Sequence, residues 1–268
     1  MSDQHETVLR AAWESFCDEL KRAVDIPFRD PAPRHVVERV AGIEALARNI
    51  SLALNFNHDY ADPRFPELIH YFDPVRKQGG DNTDAVYVGA TINGTDTYRI
   101  SGDRGTARYF AITSVQRGQT PWGGKVAHTL FGHDLKVDPD GHFELVVSPE
   151  PHAGNWLRTT PETFRVTFRQ FFADWERERP MKARIDRLTG DMSPPAPIAP
   201  ERLAAQLLAS AKWVNESIEF WVRMINMWKV MPNTLRSYKQ LSDRAIDATP
   251  GGEPMLPQGV RSDVSRAG

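Results

Sequence analysis

Asp81-Asn82-Thr83-Asp84 sets two carboxylates just ahead of a strongly β-patterned run. Carboxylates close in space can split their pKa values, so that one holds a proton while the other does not. That is the raw material of general acid–base catalysis, and Asp81 and Asp84 are the expected proton-transfer groups. The same residue types also cap a turn, since Asp and Asn bond their own backbone readily. Downstream, Arg165-Val166-Thr167-Phe168-Arg169 puts both arginines on one face of a strand, and Arg99 and Arg108 could join them if neighbouring strands align. Converging guanidiniums would grip a carboxylate, phosphate or sulfate in bidentate fashion. A solvated face with Asp and Glu partners is the plainer use of the same pattern. Trp122, Trp156 and Trp175 could form a platform for a sugar or an apolar ring, or serve only as packing.

The eight histidines show no zinc spacing. His128 and His133 stand five apart, and His142 and His152 are scattered. No metal is expected, although one assembled from distant histidines with Asp81 or Asp84 stays open. The dinucleotide, phosphate-loop and nucleophile-elbow motifs are missing, so no organic cofactor is expected.

Helices must position these groups from both ends. Val8, Ala12, Phe16, Leu20 and Val24 share one helix face, and Pro27 with Pro31-Ala32-Pro33 ends that helix. A second helix is predicted from about Arg34 to Leu54, with the stripe Val36, Val40, Ile43, Ala47, Ile50 and Leu54. Residues 55–80 read as an irregular loop, and its aromatics in the stretch 55–72 suit the lining of a pocket. The period then changes to two at Val86, Val88, Ala90 and Ile92. Asn93-Gly94 predicts a tight hairpin turn, with Thr97 to Ile100 as the return strand. Arg108 to Val115 is a further strand. Leu135 to Val137, the turn Asp138-Pro139-Asp140-Gly141 and Phe143 to Val147 predict a second hairpin, while Phe164 to Arg169 and Lys182 to Leu188 complete the set. Pro121-Trp122-Gly123-Gly124 reads as a lid loop over one end of the sheet. After a Pro-rich connector, a helix of about 45 Å is predicted from Glu201 to Met231. Leu203, Leu207, Ala211, Val214, Ile218, Trp221, Ile225 and Trp228 line one face, and Trp213, Phe220, Met224, Met227 and Met231 widen it. That surface suits burial under the sheet, a homodimer seam through residues 201–231, or a cavity wall.

The chain has 268 residues, 40% of them hydrophobic, enough for one large domain or two small ones. A net charge of −2, from 33 basic and 35 acidic residues, argues against a nucleic-acid partner. Cys17 is the lone cysteine, so no intrachain disulfide holds the fold. Met1 to Glu6 is polar and reads as no signal peptide. No stretch reaches the roughly 18 apolar residues of a membrane span, and the expectation is a soluble, cytoplasmic protein.

Several short motifs, in order, resemble a known bacterial family. They are Asp81-Asn82-Thr83-Asp84-Ala85-Val86-Tyr87; Tyr98-Arg99-Ile100; Val137-Asp138-Pro139-Asp140-Gly141 with Phe143-Glu144-Leu145; Asn155-Trp156-Leu157; and Arg169-Gln170-Phe171-Phe172 with Asp174-Trp175. From about residue 80 to 188 the chain is similar to domain of unknown function 1214. The resemblance implies a jelly-roll-like β-sandwich and no established reaction.

The expected architecture is α+β, an antiparallel jelly-roll-like sandwich flanked by N-terminal helices and a long C-terminal helix. Its parts are a helical arm with aromatic loop (1–79), the sandwich (80–190), connector and long helix (191–247) and a flexible tail (248–268). The expected function is a cofactor-independent lyase, isomerase or hydrolase acting on a small, largely apolar molecule. Asp81 or Asp84 would move the proton, Asn82 or Tyr87 would orient the substrate, Arg169 would hold an anionic end, and Trp156, Trp175 and Trp228 would be walls. A carbohydrate-binding or carbohydrate-cleaving sandwich and a non-catalytic interaction module remain the alternatives.

Overall fold

The computed structural model describes residues 3–229, apart from 31, 73–75, 77, 80, 81, 123 and 192. The order is α1 (Asp3–Ala23), α2 (Val36–Leu54), a π-helical turn (Asn55–Asp59), β1 (Ile69–Phe72), β2 (Ala85–Thr91), β3 (Tyr98–Asp103), β4 (Tyr109–Gln116), β5 (Val126–Phe131), β6 (His142–Ser148), β7 (Trp156–Arg158), β8 (Thr163–Phe171), β9 (Lys182–Arg187) and α3 (Pro200–Lys229). The fold is therefore α+β. One sheet runs β1-β2-β8-β4-β5, all antiparallel, and the other runs β7-β6-β3-β9, with β6 and β7 parallel.

Alternation along the strands sorts side chains between two environments. Val86, Val88, Phe110, Ile112, Val166 and Phe168 of the five-stranded sheet share one apolar core with Tyr98, Ile100, Phe143, Leu145, Val147, Leu157 and Ile185 around the four-stranded sheet. The other face of the five-stranded sheet meets the helical layer, where Leu52, Phe56 and Tyr71 pack with Trp122 and Trp213.

The helices follow their periodicity in part. Ala12 and Phe16 of α1 are buried as the stripe predicts. On α2 the stripe is corrected: Val36 and Val40 are 67% and 62% exposed, while Leu46, Asn49, Leu52 and Ala53 are buried. The helix is apolar on more than one side, and contact with its neighbours chose the face. Asn49 marks the choice, since its Oδ1 accepts from Ser217 Oγ at 2.9 Å and from Gln78 Nε2 at 3.1 Å. On α3 the burial crosses from the first stripe to the second, so Phe220 and Met224 are buried while Ile225 and Trp228 are exposed.

The hairpin predicted at Asn93-Gly94 does not form, because β2 and β3 lie in different sheets. Asn93 Oδ1 accepts instead from Thr95 N at 3.3 Å, in a local turn of the kind Asn favours. Gly94 is needed for close approach, since a Cβ there would stand 1.8 Å from the Thr160 carbonyl oxygen. Leu135 to Val137 is not a strand either. Its backbone at Lys136 is held on both sides by the Asn155 amide, each bond 2.8 Å. Strand β1, inside the stretch read as loop from the sequence, and strand β5, which the sequence does not mark as a strand, pair along the two edges of the larger sheet.

Candidate functional site

Strand β8 carries Arg165, Thr167 and Arg169 on its helix-facing side, opposite the core residues Val166 and Phe168. Thr167 lies in register between Gly89 of β2 and Thr113 of β4, and both threonines are buried. The Tyr71 hydroxyl donates to Thr167 Oγ1 at 3.1 Å. Gly89 makes this geometry available. A Cβ there would come within 2.6 Å of the Val166 carbonyl oxygen and 3.0 Å of the Tyr71 ring.

The Arg165 guanidinium stands 3.9 Å from the centre of the Phe56 ring, 5.7 Å from Tyr71 and 5.0 Å from Phe164. Cation–π attraction of this kind stabilises by roughly 0.5–2 kcal/mol. No carboxylate pairs with Arg165 among the described residues. Burial pulls its pKa down to about 10, the Tyr71 hydroxyl opposes that shift and neighbouring Arg117 adds to it. Burial likewise raises the Tyr71 hydroxyl, while Arg165 and Arg169 act to lower it.

Arg169 is opposite Tyr87 in the ladder, and its guanidinium lies 5.8 Å from that ring. Its Nε is buried without a hydrogen-bond partner among the described residues. Phe56, Tyr71, Phe72, Tyr87, Trp122 and Trp213 form one continuous set of ring contacts around the pair. The face can thus offer two guanidiniums, one phenol and an aromatic wall to an anion. Among the described residues no group of three or more His, Cys, Asp or Glu converges in a way that could hold a metal.

The structure unites Tyr87 and Arg169 and places the other described site residues elsewhere. Asp81 lies outside the described residues. Asp84 is exposed, and its backbone N–H donates to Asn82 Oδ1 at 2.9 Å, the capped turn these residue types also allow. Trp156 is in the four-stranded sheet, donating to the Ser148 carbonyl oxygen at 3.2 Å. Trp175 is 46% exposed and stacks on Phe172 with ring centres 4.2 Å apart. Trp228 is 37% exposed near the end of α3. Arg99 belongs to the other sheet and faces Asp186 at 3.5 Å, and Arg108 is exposed. Trp122, expected in a lid, is drawn into the aromatic cluster. Phe56 and Tyr71 belong to the stretch 55–72 whose aromatics the sequence marks as suited to lining a pocket, whereas Thr167 is not singled out. Period two marks Thr167 as facing the same way as the arginines, but no local signal says which ring meets which cation.

No curated protein matches this chain. A crystal structure of an uncharacterized protein from Burkholderia cenocepacia shares 32% identity at a TM-score of 0.75, over 80% of this chain and 60% of that one. The chain therefore spans about three-fifths of that relative's length, 60%. A protein from Vibrio parahaemolyticus aligns at 12% identity and a TM-score of 0.31, over 60% of this chain and 47% of that one, too loose a likeness to bear on the fold. Residues 82–174, the stretch from the turn before β2 to the end of β8 and just beyond, match the family described as Protein of unknown function (DUF1214).

Proposed function

We propose that the helix-facing side of the five-stranded sheet binds a small, largely apolar organic molecule through its carboxylate. One observation carries this reading: Arg165 is held among aromatic rings with no carboxylate of the described chain to neutralise it. Desolvating a guanidinium without a counter-charge is strongly unfavourable, by several kcal/mol. A fold keeps such a group where an incoming anion gains from it. Bidentate geometry suits a carboxylate, and the surrounding rings suit an apolar body. The entrance would lie toward Phe171 and Tyr109, where Tyr109 is 38% exposed. The finer sandwich of jelly-roll kind belongs to the same reading, and the core shared by both sheets supports it. Acid–base turnover would further need a proton-transfer group beside the arginines; what the arginines support is binding.

Titration calorimetry with benzoate, phenylacetate and cyclohexanecarboxylate tests the proposal. Saturable binding to the wild-type chain, weakened about tenfold or more in Arg165→Met, is the expected result, since a charged hydrogen bond is worth about 1.5–3 kcal/mol. Absence of binding by all three acids, or equal binding by the variant, would sink it.

A further inference from the structure

Among the described residues two cations on this face, not one, lack a carboxylate partner. Arg165 and Arg169 are four residues apart on the same side of β8, which sets their Cα atoms about 13 Å apart at ~3.3 Å per residue. Each guanidinium has a different tyrosine ring nearby: Arg165, which sits closest to Phe56, is 5.7 Å from Tyr71, and Arg169 is 5.8 Å from Tyr87. Between them the two tyrosine rings stand 6.1 Å apart, centre to centre. The contacts therefore run from cation to ring to ring to cation. One carboxylate held in a bidentate grip, at hydrogen-bond distances of about 2.7–2.9 Å, commits both of its oxygens to a single guanidinium. A monoacid would leave the second cation unneutralised. The Arg117 guanidinium, 4.8 Å from the Phe164 ring that Arg165 also covers, adds positive potential at one end.

We infer that the molecule held here carries two acidic groups separated by an apolar spacer, one group on Arg165 and one on Arg169, the spacer lying along Tyr71 and Tyr87. This rests on the reading of the face as a carboxylate site and names the ligand class. A diacid neutralises both guanidiniums at once and offers methylenes or a ring to the tyrosines. Selection between diacid and monoacid falls to Arg169, because Arg165 grips either of them.

A ladder of α,ω-dicarboxylates from succinate to sebacate, each paired with the monocarboxylate of equal carbon number, tests this by calorimetry. The wild-type chain is expected to prefer an intermediate or long diacid over its monoacid by about tenfold, the worth of one more charged hydrogen bond. In Arg169→Gln that preference should vanish, so that diacid and monoacid of equal carbon number bind alike. Arg169→Lys keeps a point charge without the planar fork and should restore part of the preference, which separates charge from misfolding. Equal affinity for diacid and monoacid in the wild type overturns the inference and leaves the carboxylate site standing. Failure of every acid to bind overturns both.

Discussion

The Trp122 indole N–H donates to Ser217 Oγ at 2.8 Å, tying the loop between β4 and β5 to the middle of α3. The link continues, since Ser217 Oγ donates to Asn49 Oδ1 at 2.9 Å and Gln78 Nε2 donates to the same oxygen at 3.1 Å. One partly buried chain of hydrogen bonds thus joins α2, α3 and two loops beside the arginine face. Ser217→Ala would leave the indole donor unpaired. The expected loss is about 1–3 kcal/mol in urea unfolding, the cost of a buried donor without a partner. A loss below a few tenths of a kcal/mol would mean that the chain is not a structural tie.

Arg165→Met should make the ligand-free protein more stable, unlike most substitutions of a contact-making residue. The change removes a desolvated charge that has no carboxylate partner among the described residues and keeps a long apolar side chain against Phe56. Replacing buried ionic groups by apolar ones can stabilise by about 1–4 kcal/mol, less here by the cation–π term of roughly 1 kcal/mol. Midpoints of urea denaturation without ligand check this. A lower midpoint for Arg165→Met would show that the guanidinium is satisfied within the apo fold.

Two glycines should respond differently to alanine. At Gly94 a Cβ would meet the Thr160 carbonyl oxygen at 1.8 Å, and Thr159 Oγ1 donates to the Gly94 carbonyl at 2.7 Å, so neither chain can retreat easily. At Gly154, φ is +87° and nothing lies within 4 Å. Gly94→Ala is expected to lower stability by about 3 kcal/mol, the upper range of overpacking, and Gly154→Ala by about 1 kcal/mol from backbone strain alone. Equilibrium unfolding of the two variants gives the ranking, and the reverse order would contradict it.

Acid should loosen the junction between the chain before β1 and α3. Asp62 accepts from Arg64 Nη2 at 2.7 Å and from Arg202 Nη2 at 2.9 Å, and its carboxyl is held well below the usual range, chiefly by Arg64. A group whose folded pKa is depressed adds stability above its unfolded pKa and loses it as pH falls toward the folded value. The wild type should therefore lose about 1–2 kcal/mol relative to Asp62→Asn as pH drops below about 4. Parallel pH–stability curves for the two proteins from pH 6 to pH 2 would refute the assignment.

Amino-acid order by itself determined the alternation on β2 and β8, because period two divides side chains between faces whatever lies beyond them. Val86, Val88, Val166 and Phe168 are in the core, and Arg165 and Arg169 are together opposite it. The three helices and the capped turn at Asn82 were local too, resting on stripes, prolines and an amide that bonds its neighbour. Tertiary structure decided what local pattern leaves degenerate. Which apolar side of α2 is buried depended on Asn49 finding Ser217 and Gln78. That β2 and β3 part into different sheets depended on Gly94 meeting the chain near Thr160, 66 residues away. The companions of the arginines were decided in the same way. Phe56 and Tyr71 reach them from another segment of the chain, and proximity across such distances follows from packing, which no local pattern records.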